Sequence, residues 1–145
     1  MKRHASLVPL AREHHGGLIL SQLLKKNAPP YKGMPETLED KWAYAFAFFN
    51  SDLLPHFAAE EKVFASLVNI NPELDEKMNV VIEEHVTLKR LFSGLQTQQA
   101  DADYLDEIGQ VLEKHIRKED RELFPMIEAL VDETTMQSIA QLLNH

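Results

Sequence analysis

Prolines and short polar segments divide this chain of 145 residues into long stretches with the apolar spacing of helices, and none shows the alternation typical of a strand. A total of five glycines also argues against a turn-rich β-protein. The pattern predicts an all-α fold in a single domain, residues 1–145. Helices are expected at about residues 8–26, 38–67, 72–95 and 104–125, with a short fifth one at 135–143.

Two prolines and one polar pair refine these boundaries. Pro55 lies inside the second predicted helix, where its missing N–H group predicts a kink. Pro125 is expected near the end of the fourth helix or at a bend in it. Thr134 and Gln137 resemble a capping box and predict the start of the short last helix.

The charge balance and the lack of cysteine restrict the function classes. The formal net charge is −8 and no run of Lys or Arg occurs, which disfavours nucleic acid or an anionic membrane surface as a partner. The absence of cysteine excludes disulfides, thiolate zinc sites and cysteine-ligated iron–sulfur clusters. No signal-peptide pattern or membrane-length apolar stretch is visible, so a cytoplasmic location is expected.

The strongest functional signal is that each predicted long helix contains one of four histidines spaced at intervals of 41, 29 and 30 residues. They are His15, His56, His85 and His115. Two of them have a glutamate four residues later, Glu60 and Glu119, on nearly the same helix face. With 23 acids in the chain, such a pair arises by accident with a chance of about one in six for any histidine. The joint pattern of one histidine per helix therefore carries the hypothesis of a site for two metal ions.

Four segments resemble the hemerythrin-like family, also called the HHE cation-binding domain: REHHGGLIL, LLPHFAAEEKVF, EEHVTLKRLF and EKHIRKEDRELFP. The resemblance covers about residues 7–128. It implies an up-down-up-down antiparallel four-helix bundle with a non-haem di-iron centre in its core. Carried over residue by residue, the four histidines would be terminal ligands, two per metal, and Glu60 and Glu119 would bridge the ions.

The expected cofactor is a pair of iron ions, Fe2+ or Fe3+, with an oxo or hydroxo bridge. Imidazole and carboxylate ligands without sulfur suit iron or manganese, and Mn or Zn are the expected substitutes. Two bridging glutamates and a hydroxide leave a buried charge of only about +1 from two ferrous ions, which a low-dielectric core tolerates better than four unpaired charges.

Several neighbouring residues remain alternatives. His14 precedes His15, which is preferred because its spacing to Leu18 matches that of His85 to Leu88. Glu61 and Asp120 each follow a proposed bridge by one residue, which turns them by about 100° on a regular helix and favours a solvated or ligand-supporting role. Asp120 is the stronger rival, because oxygen-carrying family members use an HxxxxD spacing on the fourth helix. His4 and His145, near the termini, are expected to be uninvolved.

One departure from the family bears on function. Oxygen-carrying hemerythrins have HxxxH on the third helix, and this chain has Lys89 four residues after His85. A protonated lysine offers no lone pair to a metal. The resemblance thus implies a protein that senses, scavenges or handles O2, NO or iron, and reversible oxygen carriage is disfavoured. A di-iron redox enzyme of oxidase, peroxidase or iron-stress type, a metal-storage or structural bundle, and a homodimer all remain open.

Overall fold

The computed structural model describes residues 2–144, and the all-α expectation is confirmed. Within those residues no strand occurs, and four long helices form a bundle. The first is α1 (Val8–Leu23) and the third is α4 (Pro72–Ser93). The second and fourth are each interrupted by a π-helical segment: α2 (Leu38–Phe48), π Phe49–Leu53 and α3 (Leu54–Ser66), then α5 (Ala102–Lys118), π Glu119–Leu123 and α6 (Phe124–Leu130).

A short helix, α7 (Glu133–Leu143), follows the bundle, but its predicted start was wrong. Asp132, and not Thr134, occupies the N-cap position, and its Oδ1 accepts a hydrogen bond of 2.8 Å from the N–H of Thr135. An aspartate at this position satisfies an otherwise unpaired N–H group and also favours the positive end of the helix dipole. The first helix likewise ends at Leu23, three residues before its predicted end.

A π-helical segment precedes Pro55, where a kink was predicted, and a second one precedes Pro125. Each proline lies at the second position of the α-helix that follows a π segment. A proline has no N–H group, and its ring clashes with the carbonyl four residues earlier in an α-helix. A wider turn relieves this conflict: the N–H of Leu54 bonds the carbonyl of Phe49, five residues back.

The core consists of two apolar clusters, and a band of polar residues separates them along every bundle helix. In α1, for example, Leu20 belongs to one cluster and Leu10 to the other, and buried His14 lies between them in the sequence. In α4 the same order holds for Leu88, His85 and Val81, in reverse direction along the chain. Alternating helix direction therefore brings the four polar positions to one level of the bundle.

The last helix, α7, covers the end of the bundle that contains the apolar cluster of Leu10 and Val81. Met136 and Ile139 of α7 are buried in that cluster. The N-terminal segment is held at the same end, where Arg3 Nη1 lies 2.9 Å from Oε1 of Glu128. Over residues 2–144, the helices lack the combination of length and apolar character that a membrane span requires.

Candidate metal centre

Six buried polar side chains from the four bundle helices meet between the two apolar clusters, and none is more than 5% exposed: His14, His56, Glu60, His85, His115 and Glu119. We call this set the His/Glu cluster. His56 and Glu60 lie one turn apart on α3, while His115 lies in the last turn of α5 and Glu119 opens the π segment after it. Both glutamates are completely buried, which charged residues rarely are unless they are paired or bind a metal.

One half of the His/Glu cluster is formed by His14 and His56 with both glutamates. Nε2 of His14 lies 3.0 Å from Oε1 of Glu119 and 3.5 Å from Oε2 of Glu60. Nε2 of His56 lies 3.2 Å from the same Oε2 of Glu60. These four residues offer ligand atoms that all lie within 4.8 Å of one another.

The other half pairs His85 and His115 with the same two glutamates. Nε2 of His85 lies 3.0 Å from Oε1 of Glu60 and 4.0 Å from Oε2 of Glu119. Nε2 of His115 lies 3.3 Å from Oε1 of Glu119. The two oxygens of Glu60 therefore face different halves, and the two groups of potential ligands share both glutamates.

Six potential metal-ligand atoms at the centre of the cluster form no hydrogen bond with the described residues. They are Nε2 of three histidines, His14, His56 and His115, together with Oε2 of Glu60 and both carboxylate oxygens of Glu119. A buried polar atom without a partner costs roughly 1–3 kcal/mol, so a group of six needs compensation. Nitrogen and oxygen donors that converge in this way fit a metal ion. The arrangement thus indicates a metal-binding protein.

The structure corrects the choice made for the first helix: His14, and not His15, joins the His/Glu cluster. His14 is 2% exposed, while the side chain of His15 lies at the surface. The spacing to Leu18 that favoured His15 is misleading, because Leu18 is only partly buried and the adjacent Ile19 is exposed. The buried face of α1 instead contains Leu10, His14, Gly17 and Ser21. The small side chains of Gly17 and Ser21 allow close packing on this face.

Each clustered histidine is held from behind by a carboxylate that contacts its Nδ1 atom. The four contacts measure 2.7–2.8 Å: His14 with Asp120, His56 with Glu13, His85 with Glu61 and His115 with Glu84. An acceptor at Nδ1 keeps the proton on that nitrogen and leaves Nε2 free to bind a metal. We call these acids the carboxylate ring.

The carboxylate ring follows a regular rule around the bundle. Every member is the sequence neighbour of a clustered residue on its own helix and holds the histidine of the next helix: Glu13 beside His14, Glu61 beside Glu60, Glu84 beside His85, and Asp120 beside Glu119. One residue corresponds to about 100° around a helix, so the neighbour faces the adjoining helix. The neighbour precedes the clustered residue on the first and third helices and follows it on the second and fourth, because alternate helices run in opposite directions.

Sequence reasoning missed two members of the carboxylate ring, Glu13 and Glu84. The structure also places Glu61 and Asp120 in the ring, outside the six clustered residues. A signal was available, because an acid stands directly beside a clustered residue in each of the four segments, EH, EE, EH and ED. His4 lies elsewhere, with Nε2 2.9 Å from Oε1 of Glu133, and His145 lies outside the described residues.

The carboxylates around the clustered histidines favour the protonated imidazoles. Burial lowers the pKa of His14, but its contacts with Asp120, Glu119 and Glu60 outweigh burial and raise that pKa to about 12. The same balance raises the pKa values of His56 and His115 to about 9. For Glu60 burial acts to raise the pKa, yet the surrounding histidines hold it well below its ordinary value.

Two phenylalanines shield the cluster. Phe57 stacks on His85 with ring centroids 4.2 Å apart, and Phe124 stacks on His14 at 5.4 Å with an interplanar angle of 8°. Both phenylalanines are at most 1% exposed. Their rings fix the imidazoles and exclude water from two sides of the site.

Lys89 takes no part in the His/Glu cluster. Its side chain is half-buried and forms no hydrogen bond or ion pair with residues 2–144. The neighbouring Leu88 is fully buried and packs in the apolar cluster instead. In the described chain, α4 therefore supplies the centre with one histidine.

The family model described as hemerythrin HHE cation binding domain matches residues 9–127. This stretch contains the whole His/Glu cluster and the whole carboxylate ring. Searches of curated proteins and of solved structures gave no significant match.

Proposed function

Because this chain belongs to the hemerythrin HHE cation-binding domain family, we propose that it binds two metal ions, iron in the first place, in the His/Glu cluster. The observation that carries the proposal is the pair of overlapping ligand groups that share Glu60 and Glu119. A carboxylate whose two oxygens face different histidine pairs is suited to bridge two ions.

In this proposal His14 and His56 hold one ion, and His85 and His115 hold the other. The carboxylate ring keeps the four imidazoles in the tautomer and orientation that metal binding requires. Iron is favoured because nitrogen and oxygen donors without sulfur suit it, and manganese or zinc would fit the same donors.

We further propose that the centre senses, scavenges or handles O2, NO or iron. Two irons supply such a site with electrons that a small diatomic molecule can accept or share. With two histidines per ion and Lys89 outside the cluster, fewer positions are filled by protein than in a centre with a fifth histidine. The buried environment beside Phe57 and Phe124 admits small molecules more readily than large substrates.

The test is anaerobic loading of the full chain with ferrous iron, followed by metal counting and absorption spectra. Two irons per chain, and new ferric absorption on exposure to O2 or changed bands on exposure to NO, are the expected result. A single tightly held ion, or none, would overturn the two-metal assignment. Sustained consumption of O2 with a supplied reductant, over many turnovers per chain, would replace the sensing role by that of a redox enzyme.

A further inference from the structure

A groove of about 580 Å3 lies beside the metal centre, between α4 and the fourth bundle helix. We propose that this groove is a binding site for a small organic anion, recognised by Lys114 and Arg121. The inference goes beyond the proposed function, because the groove lies outside the His/Glu cluster and its occupant need not contact a metal.

The groove is basic although the chain as a whole is acidic. Four cationic side chains of the fourth helix line it at positions 114, 117, 118 and 121, a spacing that keeps them on one face. Three acids also line it: Glu84, Glu113 and Glu122. In a chain of net charge −8, this local excess of cations needs a reason.

Ion pairing within the protein already accounts for all three acids. Lys118 pairs with Glu84, and Arg117 lies 3.2 Å from Glu113. Two cations from outside the groove add to this: Lys25 Nζ lies 2.6 Å from Glu113, and Lys77 Nζ lies 2.7 Å from Glu122. The three acids that line the groove are therefore neutralised without Lys114 or Arg121.

Lys114 and Arg121 are the cations left over. Both are exposed, and neither forms a hydrogen bond or ion pair with any residue from 2 to 144. They are seven positions apart in the sequence, roughly 10 Å along a helix, so they border the groove at two places. An incoming anion can bind them without first breaking an internal ion pair.

The uncharged residues that line the groove indicate that the non-anionic part of the ligand is apolar. Val111 and Thr87 line the groove beside the basic residues, and lysine and arginine side chains carry aliphatic stems that can add apolar surface. Small-molecule sites commonly combine such apolar walls with a few charged groups, in volumes of roughly 300–1,000 Å3. This chemistry selects a carboxylate or phosphate attached to an apolar body over an inorganic anion.

The groove also reaches the metal centre through a short chain of contacts. His115 is part of its wall, and Nδ1 of His115 lies 2.8 Å from Oε1 of Glu84. Lys118 contacts the other oxygen of that carboxylate. Lys118 also lines the groove, so an anion bound at Lys114 and Arg121 changes the electrostatic environment of this support without displacing Glu84.

The experiment is calorimetric titration of the full chain, metal-loaded and metal-free, with benzoate, phenyl phosphate and inorganic phosphate. Benzyl alcohol serves as the uncharged probe. We expect saturable binding of an organic anion in both metal states, weaker binding of inorganic phosphate, and none of benzyl alcohol. Comparing benzoate with phenyl phosphate distinguishes the carboxylate from the phosphate class.

The double variant Lys114→Gln/Arg121→Gln should weaken this binding at least tenfold. The matched control, Arg12→Gln/Lys32→Gln, removes the same charge from exposed positions outside the groove and should leave it unchanged. Equal affinities in the two double variants would overturn the proposal, as would binding only to metal-loaded protein, which places the anion on the metal. Binding of an acidic peptide without any small organic anion would also overturn it, in favour of a protein partner. A chain that fails to hold two metals but binds anions in the groove refutes the proposed function alone.

Discussion

Oδ1 of Asp120 lies 2.8 Å from Nδ1 of His14, although 106 residues separate the two in sequence. This contact joins the fourth bundle helix to the first directly behind the centre. Asp120 is therefore placed to orient a proposed metal ligand, while Glu119 contacts Nε2 of the same histidine inside the His/Glu cluster.

Asp120→Asn should weaken metal binding about 10–100-fold while leaving the number of bound ions unchanged, because it removes the charge that fixes the His14 ring. Glu119→Ala should instead lose an ion, since it removes a shared ligand. Metal counting and competition with a chelator measure both effects. Glu83→Gln, at an exposed position beside the ring member Glu84, is the control and should behave like the unaltered protein. Loss of an ion in Asp120→Asn with retention in Glu119→Ala would reverse the two roles.

His14→Ala should lower metal content or affinity sharply, and His15→Ala should not. The two residues are neighbours, yet His14 is buried against Glu119 and His15 is exposed. Metal analysis of the two purified variants provides the measurement. A variant lacking His15 that loses metal while the one lacking His14 retains it would contradict the structure of α1.

The metal-free protein should lose stability as the pH rises from about 6.5 through 9. The folded-state pKa values of His56 and His115, about 9, exceed the ordinary 6.5, so their stabilising contribution is complete below pH 6.5 and is lost through pH 9. His14 extends the loss towards pH 12. On the acid side, Glu60 stabilises the folded state at pH values above its ordinary pKa of 4.5, because its folded-state pKa is lowered. This stabilisation is lost as the pH falls through the lowered pKa. Urea unfolding in the presence of a chelator measures this profile, and stability that increases from pH 7 to 9 would refute it.

Metal loading at neutral pH should release protons from the clustered histidines. Histidines must release their protons before Nε2 can bind a metal, so each loading event at neutral pH releases protons. A pH indicator in weakly buffered solution, titrated with ferrous or zinc ions under anaerobic conditions, measures this release. Loading without any proton release would show that the histidines are already neutral, against the raised pKa values.

Gly109→Ala should destabilise the bundle by about 1–3 kcal/mol through overpacking. A Cβ atom at this position would lie 2.7 Å from the backbone carbonyl oxygen of Ser21, in the contact between α5 and α1. Gly16→Ala is the matched control, because its Cβ would meet the tip of the Phe48 ring at 3.3 Å, which can move aside. Thermal unfolding of both variants measures the difference. Equal melting temperatures would show that the α1–α5 contact is looser than described.

The sequence allowed the helices and most of the clustered positions to be predicted, because proline boundaries and one histidine per helix are local signals. The sequence did not show that His14 is the buried histidine, for a physical reason. Apolar residues of α1 such as Leu10, Leu18 and Ile19 are distributed around much of its circumference, so no single apolar face indicates which histidine is buried. The π segments escaped prediction because residue propensities describe i to i+4 helices. Glu13 and Glu84 were missed because each acts on a neighbouring helix and not on its own.

The carboxylate ring makes the centre depend on the completeness of the bundle. Each imidazole is oriented by the helix next to its own, and the last helix supports the first, so the dependence closes on itself. A folding intermediate that lacks one helix would lose that helix's own donors and also leave a histidine of its neighbour free to rotate. An incompletely assembled chain is therefore expected to bind metal less tightly than the complete bundle.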